Sequence, residues 1–254
     1  MITLKKIARK GYVKSSANGL GAIGLTFEHL LGKENDSMYF PDYYGIEIKC
    51  SSRFSRYPIS LFSCAFDGPT FPEINRLIEK YGYFDKDFKD KKALQEILSC
   101  KNQKKVNNYI FKFDIDEKEE KLFLCIYNLN GELIERKSFV YLDTIYNHLK
   151  LKLSSMALVY ASTKKCSAED QFRYYKITIY ELIGFHKFIE LLKNGTINIS
   201  LSCRIGKSGK YAGKYKNKNL VFELQKKDIN KLFKEIYTYN HDIQNTSNFQ
   251  IINL

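Results

Sequence analysis

Asp42, Glu47 and Lys49 are the residues of this sequence whose types and spacing could do chemistry together. The stretch from Ile46 to Cys50 alternates apolar and polar residues as a strand does, so Glu47 and Lys49 share one face and Ile46 and Ile48 the other. Asp42, set before the strand beyond a bend at Gly45, can bring a second carboxylate to the same spot. Two carboxylates, water and a phosphate oxygen suit Mg²⁺, a hard ion that keeps several of its waters. Such an ion stabilises charge on a phosphate and lowers the pKa of an attacking water. A lysine beside it can orient or deprotonate that water, or neutralise charge developing at phosphorus.

Spacing alone does not single these residues out. Asp114, Glu119 and Lys121 repeat the pattern, but within the charged run 114–121 between two strands, which reads as a solvated hairpin tip. The first copy has the better setting: Pro41-Asp42 before a turn, a pair framed by isoleucines, and a helix-borne Glu28 upstream.

The positioning elements follow from periodicity. Apolar spacing predicts a helix over 25–31 that stops at Gly32. Strands are expected over 46–50 and 59–64, and helices over 72–80 and 91–98. Strands over 109–115, 121–128 and 138–142 precede a helix over 143–153. Strands over 156–162 and 172–180, a helix over 182–193, strands over 197–205 and 220–224, and a last helix over 228–237 complete the chain. Residues 1–20 read as a loop or loosely held arm. The mixture lacks strict strand–helix alternation, so the fold class is α/β, or mixed α+β, with a central mixed sheet flanked by helices. A single domain of 254 residues is expected, with possible lobes over about 1–150, mainly catalytic, and 151–254, mainly recognition.

Composition narrows the partner. Hydrophobic residues make up 44%, enough for a core, and 41 Lys+Arg against 28 Asp+Glu give a net charge of +13, which favours a polyanion such as DNA. The six scattered cysteines form no C-x-x-C pair and read as reduced, buried thiols rather than a disulfide frame or zinc site. No secretory signal or run of membrane-spanning length is visible, so a cytosolic protein is expected. Gly19-Leu-Gly21-Ala-Ile-Gly24 matches a dinucleotide-binding pattern in letters only, because no buried strand precedes it.

The segments Gly24-Leu-Thr-Phe-Glu-His-Leu-Leu-Gly32 and Pro41-Asp-Tyr-Tyr-Gly-Ile-Glu-Ile-Lys49 resemble the MvaI/BcnI family of restriction endonucleases and, more distantly, the mismatch-repair nickase MutH. The likeness continues through Ser60-Leu-Phe62, residues 107–116 and Arg204-Ile-Gly-Lys-Ser-Gly209, in order along most of the chain. The resemblance implies a PD-(D/E)xK endonuclease fold, with two lobes around a DNA cleft. It implies a monomeric Mg²⁺-dependent enzyme, with Mn²⁺ as a substitute, that cuts double-stranded DNA at a short GC-rich, near-palindromic site and leaves 5′-phosphates. By the same resemblance Asp42, Glu47 and Ile48 hold the metal, Lys49 is the catalytic lysine, and Glu28 supports the site from its helix. A restriction enzyme also implies a cognate DNA methyltransferase as a functional partner.

Basic loops supply candidate DNA contacts. The Gly/Lys-rich stretch carries Arg204, Lys207, Lys210, Lys214, Lys216, Asn217, Lys218 and Asn219. Glycines there allow close backbone approach to phosphates, and lysines add salt-dependent affinity. Lys104, Lys105 and Asn107 form a second basic loop, and Arg53 and Arg56 follow the catalytic strand. The family's best-known members read bases with a histidine-containing segment after this loop; here 214–219 holds no histidine, and lysine and asparagine are the available readers. Two other readings stand beside a restriction enzyme: a MutH-like strand-specific nickase, and a DNA-binding protein on a degenerate nuclease fold.

Overall fold

The computed structural model describes residues 2–19, 21–33, 40–167, 169–216 and 218–242. The chain begins α1 (Ile2–Ala8), β1 (Tyr12–Lys14), α2 (Ala22–Leu30), β2 (Glu47–Ser52), β3 (Ile59–Cys64), α3 (Glu73–Tyr81), β4 (Tyr83–Phe84) and β5 (Lys92–Leu98). It continues β6 (Lys104–Val106), β7 (Tyr109–Asp116), β8 (Lys121–Tyr127), β9 (Leu133–Glu135), β10 (Phe139–Tyr141), α4 (Leu142–Leu153), β11 (Ser155–Lys164) and β12 (Gln171–Leu182). It ends α5 (Phe185–Lys193), β13 (Ile197–Ile205), β14 (Tyr215–Lys216), β15 (Leu220–Leu224), α6 (Ile229–Leu232) and β16 (Phe233–Asn240). This is the expected mixed α/β class.

Two compact units share these elements. The first takes the described residues within Met1–Tyr57, Leu151–Ile183 and Phe233–Leu254; the second takes Pro58–Lys150 and Gly184–Leu232. The contiguous lobes expected over about 1–150 and 151–254 therefore cut across both units. The reason is strand pairing: β2 pairs with β11, so residues from beyond 150 complete the sheet that carries Glu47 and Lys49.

In the first unit the sheet order is β1-β12-β11-β2, with β16 also on β12. β2 and β11 run parallel, setting Glu47 opposite Met156 and Lys49 opposite Leu158, while β11 and β12 are antiparallel. Ile48, Ala157, Val159, Phe172 and Ile177 join Phe27 of α2 and Leu4, Ile7 and Ala8 of α1 in one buried cluster. Each of the Leu, Ile, Val and Phe side chains among them contributes about 1.5–3 kcal/mol on burial. Residues 2–8 and 12–14 are thus not the loose arm expected: Leu4, Ile7 and Ala8 fall at i, i+3 and i+4, and β1 pairs with the start of β12.

The second unit holds two sheets, one of order β10-β8-β7-β6 with β9 on β8, the other β3-β15-β13-β5-β4 with β14 on β13. Residues 92–98 form a strand, not the expected helix, because β13 pairs with them from Ile199–Leu98 to Cys203–Leu94. The expected helix over 228–237 lasts only from Ile229 to Leu232, the end of the second unit, before β16 of the first unit pairs with β12 from Leu182–Phe233 to Lys176–Asn240. Both segments carry helical apolar spacing, and an available sheet edge overrides it. Among the described residues no helix is long and apolar enough to cross a membrane. All six cysteines are free, but not all are buried as expected: Cys64, Cys100, Cys125 and Cys203 are, whereas Cys50 is half-buried and Cys166, past the end of β11, is exposed.

A buried charge network ties α3 to the strands beside it. Glu73 and Glu135 are both buried, and Arg76 donates to both. Glu135 also accepts from Lys80 Nζ and Tyr81 Oη, each at 2.8 Å, and Glu73 from Ser138 Oγ at 2.6 Å. Although burial opposes ionisation, the Arg76, Lys80 and Tyr81 donors hold the Glu135 carboxyl down at about 2. Removing the shared cation leaves buried Glu73 with no cation and buried Glu135 with Lys80 alone. Arg76→Ala is therefore expected to destabilise the second unit by about 3–5 kcal/mol in urea unfolding, and a loss under 1 kcal/mol would refute this account. Because the folded pKa of Glu135 lies below its ordinary 4.5, its stabilisation is complete above about pH 4.5 and drains away as pH falls towards about 2. Unfolding free energy measured across that window should slope downward towards acid, and Glu135→Gln should flatten the slope.

Candidate active site

β2 lies at the edge of its sheet, with β11 on one side. A tight turn brings Asp42 to the other side. Tyr43 and Ile46 exchange both backbone hydrogen bonds, at 3.0 and 2.9 Å, around Tyr44 and Gly45, whose φ values are 45° and 80°. Positive φ at both central positions defines a type I′ turn, where glycine is favoured. Asp42 Oδ2 then accepts the Ile48 N–H at 2.9 Å, occupying a backbone donor that the sheet edge leaves open. Glu47 and Lys49 point to the same face as expected: Lys49 Nζ donates to Glu47 Oε1 at 2.8 Å. Ile48 packs its side chain into the core, so only its backbone carbonyl could serve a metal.

Glu28 reaches the same place from α2, which packs on β2 and anchors Phe27 in the core. Burial, reinforced by the Asp42 and Glu47 charges, raises the Glu28 pKa, while Lys33 and Lys49 act against the rise. The half-buried Cys50 thiol is likewise pushed up, by burial first and then by Glu28 and Asp42. Three carboxylates therefore feel one another here. Gly24, one turn before Glu28, sits where an added Cβ would stand 3.8 Å from Glu28 Oε1.

Two lysines at this site were not identified from the sequence. Lys33 Nζ donates to Asp42 Oδ1 at 2.5 Å, and Lys152 Nζ lies 3.9 Å from Glu47 Oε1. Lys33 follows the glycine that ends α2, and Lys152 sits in the last turn of α4, about a hundred residues away. Neither position carries a local signal, because a lysine's partner depends on where the chain folds back.

The residues present fit a divalent cation. Glu47 Oε2 is buried and is without a hydrogen-bond partner, a costly state for a carboxylate oxygen that a cation would relieve. The donors are all oxygens, as Mg²⁺ prefers. Among the described residues no group of three or more His, Cys, Asp or Glu side chains could enclose a metal ion.

The candidate DNA contacts divide between the units. Arg53 and Arg56 are exposed just past β2 in the first, with the Arg53 guanidinium 5.6 Å from the Phe54 ring and 5.7 Å from Tyr175. The remainder belong to the second unit. Lys104 pairs with Glu96 at 2.7 Å, Lys105 is exposed, and Asn107 holds positive φ while donating to the Tyr81 carbonyl at 3.1 Å. Arg204 and Lys216 face each other across β13 and β14, with Lys216 over the Tyr211 ring. Lys214 and Asn219 are exposed, and Lys218 donates to Asn75 Oδ1 at 3.0 Å. Lys207 is paired with Asp85 and Asp87. Lys210 has its backbone in a 3₁₀ turn over Gly209–Tyr211, and Asn217 lies outside the described residues.

The second copy of the pattern behaves as a hairpin tip. Asp116 pairs with Lys121 across β7 and β8, and Arg136 bridges Asp116 and Glu119. The Asp114 and Glu119 side chains are 51% and 45% exposed, against 5% for Glu47, so water satisfies them and no cation is needed.

A search of curated proteins found no match. Among solved structures, the chain is similar to the restriction endonuclease MvaI in complex with its cognate DNA substrate, at 23% identity and TM-score 0.85, covering 92% of this chain and 95% of that one. It is also similar to MvaI in the absence of DNA, at 23% identity and TM-score 0.57, covering 92% and 94%. The model of the MvaI/BcnI restriction endonuclease family matches residues 1–233. The chain belongs to that family and is a DNA endonuclease.

Proposed function

We propose that this endonuclease is a type II, Mg²⁺-dependent enzyme that hydrolyses double-stranded DNA at a short, GC-rich, near-palindromic site and leaves 5′-phosphates. The observation that carries the metal dependence is Glu47 Oε2, buried and unpartnered on the face that Asp42, Glu28 and Lys49 share. Asp42, Glu47 and the Ile48 carbonyl would hold Mg²⁺, with Mn²⁺ as a substitute. Bound there, the ion supplies charge stabilisation at the scissile phosphate and acidifies the attacking water. Lys49, fixed against Glu47, orients that water or neutralises the phosphorane. Glu28 supports the carboxylate pair from α2. Water adds to phosphorus as the bond to the 3′ oxygen breaks, and the 3′ hydroxyl departs.

Arg53 and Arg56, placed directly beyond the catalytic strand, grip the scissile strand. Arg204, Lys214, Lys216, Lys218 and Asn219 approach the duplex from the second unit, where lysine can address guanine acceptors and asparagine adenine. The enzyme acts as a monomer, and a cognate methyltransferase protects the host sites.

Unmethylated plasmid and phage DNA incubated with the purified protein should give discrete bands with Mg²⁺ and none with EDTA; absence of cleavage on every DNA would overturn the reading, and nicking alone would make it a strand-specific nickase. Lys49→Ala is expected to lower the cleavage rate about 10²–10³-fold while leaving duplex affinity nearly unchanged. With one site per monomer the strands fall in succession, so nicked plasmid should accumulate before linear product. Direct conversion to linear DNA would instead require two sites acting together.

A further inference from the structure

The Gly/Lys-rich hairpin between β13 and β14 is not a loose loop. The Gly206 N–H donates to the Lys214 carbonyl and the Gly213 N–H to the Gly206 carbonyl, both at 2.9 Å. A Cβ on Gly206 would lie 2.2 Å from the Tyr211 carbonyl oxygen, so only glycine permits this crossing. A second turn, over residues 85–91, is closed by the Asp85 N–H to the Lys91 carbonyl at 2.8 Å. Asp85 Oδ1 caps that turn from within, accepting the N–H groups of Asp87 and Phe88 at 2.9 and 3.1 Å.

The two turns are joined at three points. Lys207 Nζ contacts Asp85 Oδ1 and lies 2.8 Å from Asp87 Oδ2. Lys91 Nζ donates to the Gly213 carbonyl. The Phe88 ring sits beneath both lysines, 5.6 Å from Lys207 Nζ and 5.8 Å from Lys91 Nζ, and would come within 3.2 Å of a Cβ on Gly213. The Asp85 side chain is only 10% exposed. A lysine held by two carboxylates adds no net positive charge to a DNA-facing surface, unlike its basic neighbours on the same hairpin.

We infer that Lys207 is a positioning residue: through Asp85 and Asp87 it pins the 206–216 hairpin to the 85–91 turn, presetting Arg204, Lys214 and Lys216 for base reading, and does not itself bind phosphate. This rests on the proposed role of that hairpin in DNA recognition. A phosphate contact and an anchor differ in what they do to salt dependence and to discrimination. Losing a phosphate contact flattens the plot of log K against log salt by about 0.9 on any sequence. Losing an anchor leaves that slope intact but displaces the readers, and misplacement by about 1 Å can cost about 10²-fold.

Lys207→Met, Lys207→Arg and Asp85→Asn test this. On a random-sequence duplex, Lys207→Met should keep the wild-type salt slope. On a duplex bearing the site defined by sequencing wild-type cleavage ends, Lys207→Met and Asp85→Asn should both lose about tenfold or more in discrimination over the random duplex, and Lys207→Arg should recover most of it. A flattened slope in Lys207→Met, with Asp85→Asn indistinguishable from wild type, would make Lys207 a phosphate ligand and overturn the inference. Hydrogen exchange on the DNA-free protein separates this from the functional reading. Faster exchange confined to 206–216 in Lys207→Met and Asp85→Asn, at an unchanged global unfolding midpoint, supports the anchor even if the hairpin meets no DNA. Unchanged exchange there would refute the anchor whatever the DNA results.

Discussion

The first unit depends on one strand pairing, the parallel alignment of β2 with β11. β2 alone is a six-residue segment at a sheet edge and could not hold two polar side chains in register. β11, backed by β12, gives it a rigid partner, and the small side chains of Ala157 and Val159 leave room for Ile48 and for α2 with Phe27. Parallel strands need a long crossover. Here the chain leaves the first unit after Tyr57 and returns at Leu151, so most of the second unit lies within that connection. The same pairing brings the end of α4, and with it Lys152, towards Glu47.

Electrostatics then decides which carboxylates are chemically available. Burial and the Asp42 and Glu47 charges raise the proton affinity of Glu28, and Lys33, Lys49 and Lys152 stand by the carboxylates without covering every oxygen. What remains is a buried oxygen with no partner. Asp114, Glu119 and Lys121 have the same spacing, but there the two carboxylates stand about half exposed beside Arg136 and Lys121, where solvent screens their charges. Identical intervals along the chain thus lead to opposite outcomes, because a carboxylate's chemistry is set by its solvent and neighbours.

A comparable distinction runs through the basic residues. A charge of +13 makes the chain a polyanion binder in bulk. Individual lysines, however, are already committed: Lys207 to Asp85 and Asp87, Lys104 to Glu96, Lys80 to Glu135, Lys91 to a backbone carbonyl. A cation paired within the protein organises a surface, whereas an exposed one such as Lys214 or Arg56 can meet a phosphate.

Much of this was legible in order along the chain. Alternation placed Glu47 and Lys49 on one face, the Gly45 bend brought Asp42 back, and the apolar spacing from Leu25 put Glu28 on a helix, since these relations depend only on strand and helix periods. The matching blocks from Gly24 to Gly209 carried the family. Periodicity failed where a sheet edge competed with it, at 92–98 and at 233–240, because helical spacing in a short segment yields to pairing with a strand far away in sequence. Only the tertiary structure could join Lys33 and Lys152 to the carboxylates, divide the chain into discontinuous units, and set Asp85 against Lys207. Apart from Lys33 with Asp42, nine residues on, each of those relations crosses a long stretch of chain, and sequence periodicity carries no information about which distant segments will meet.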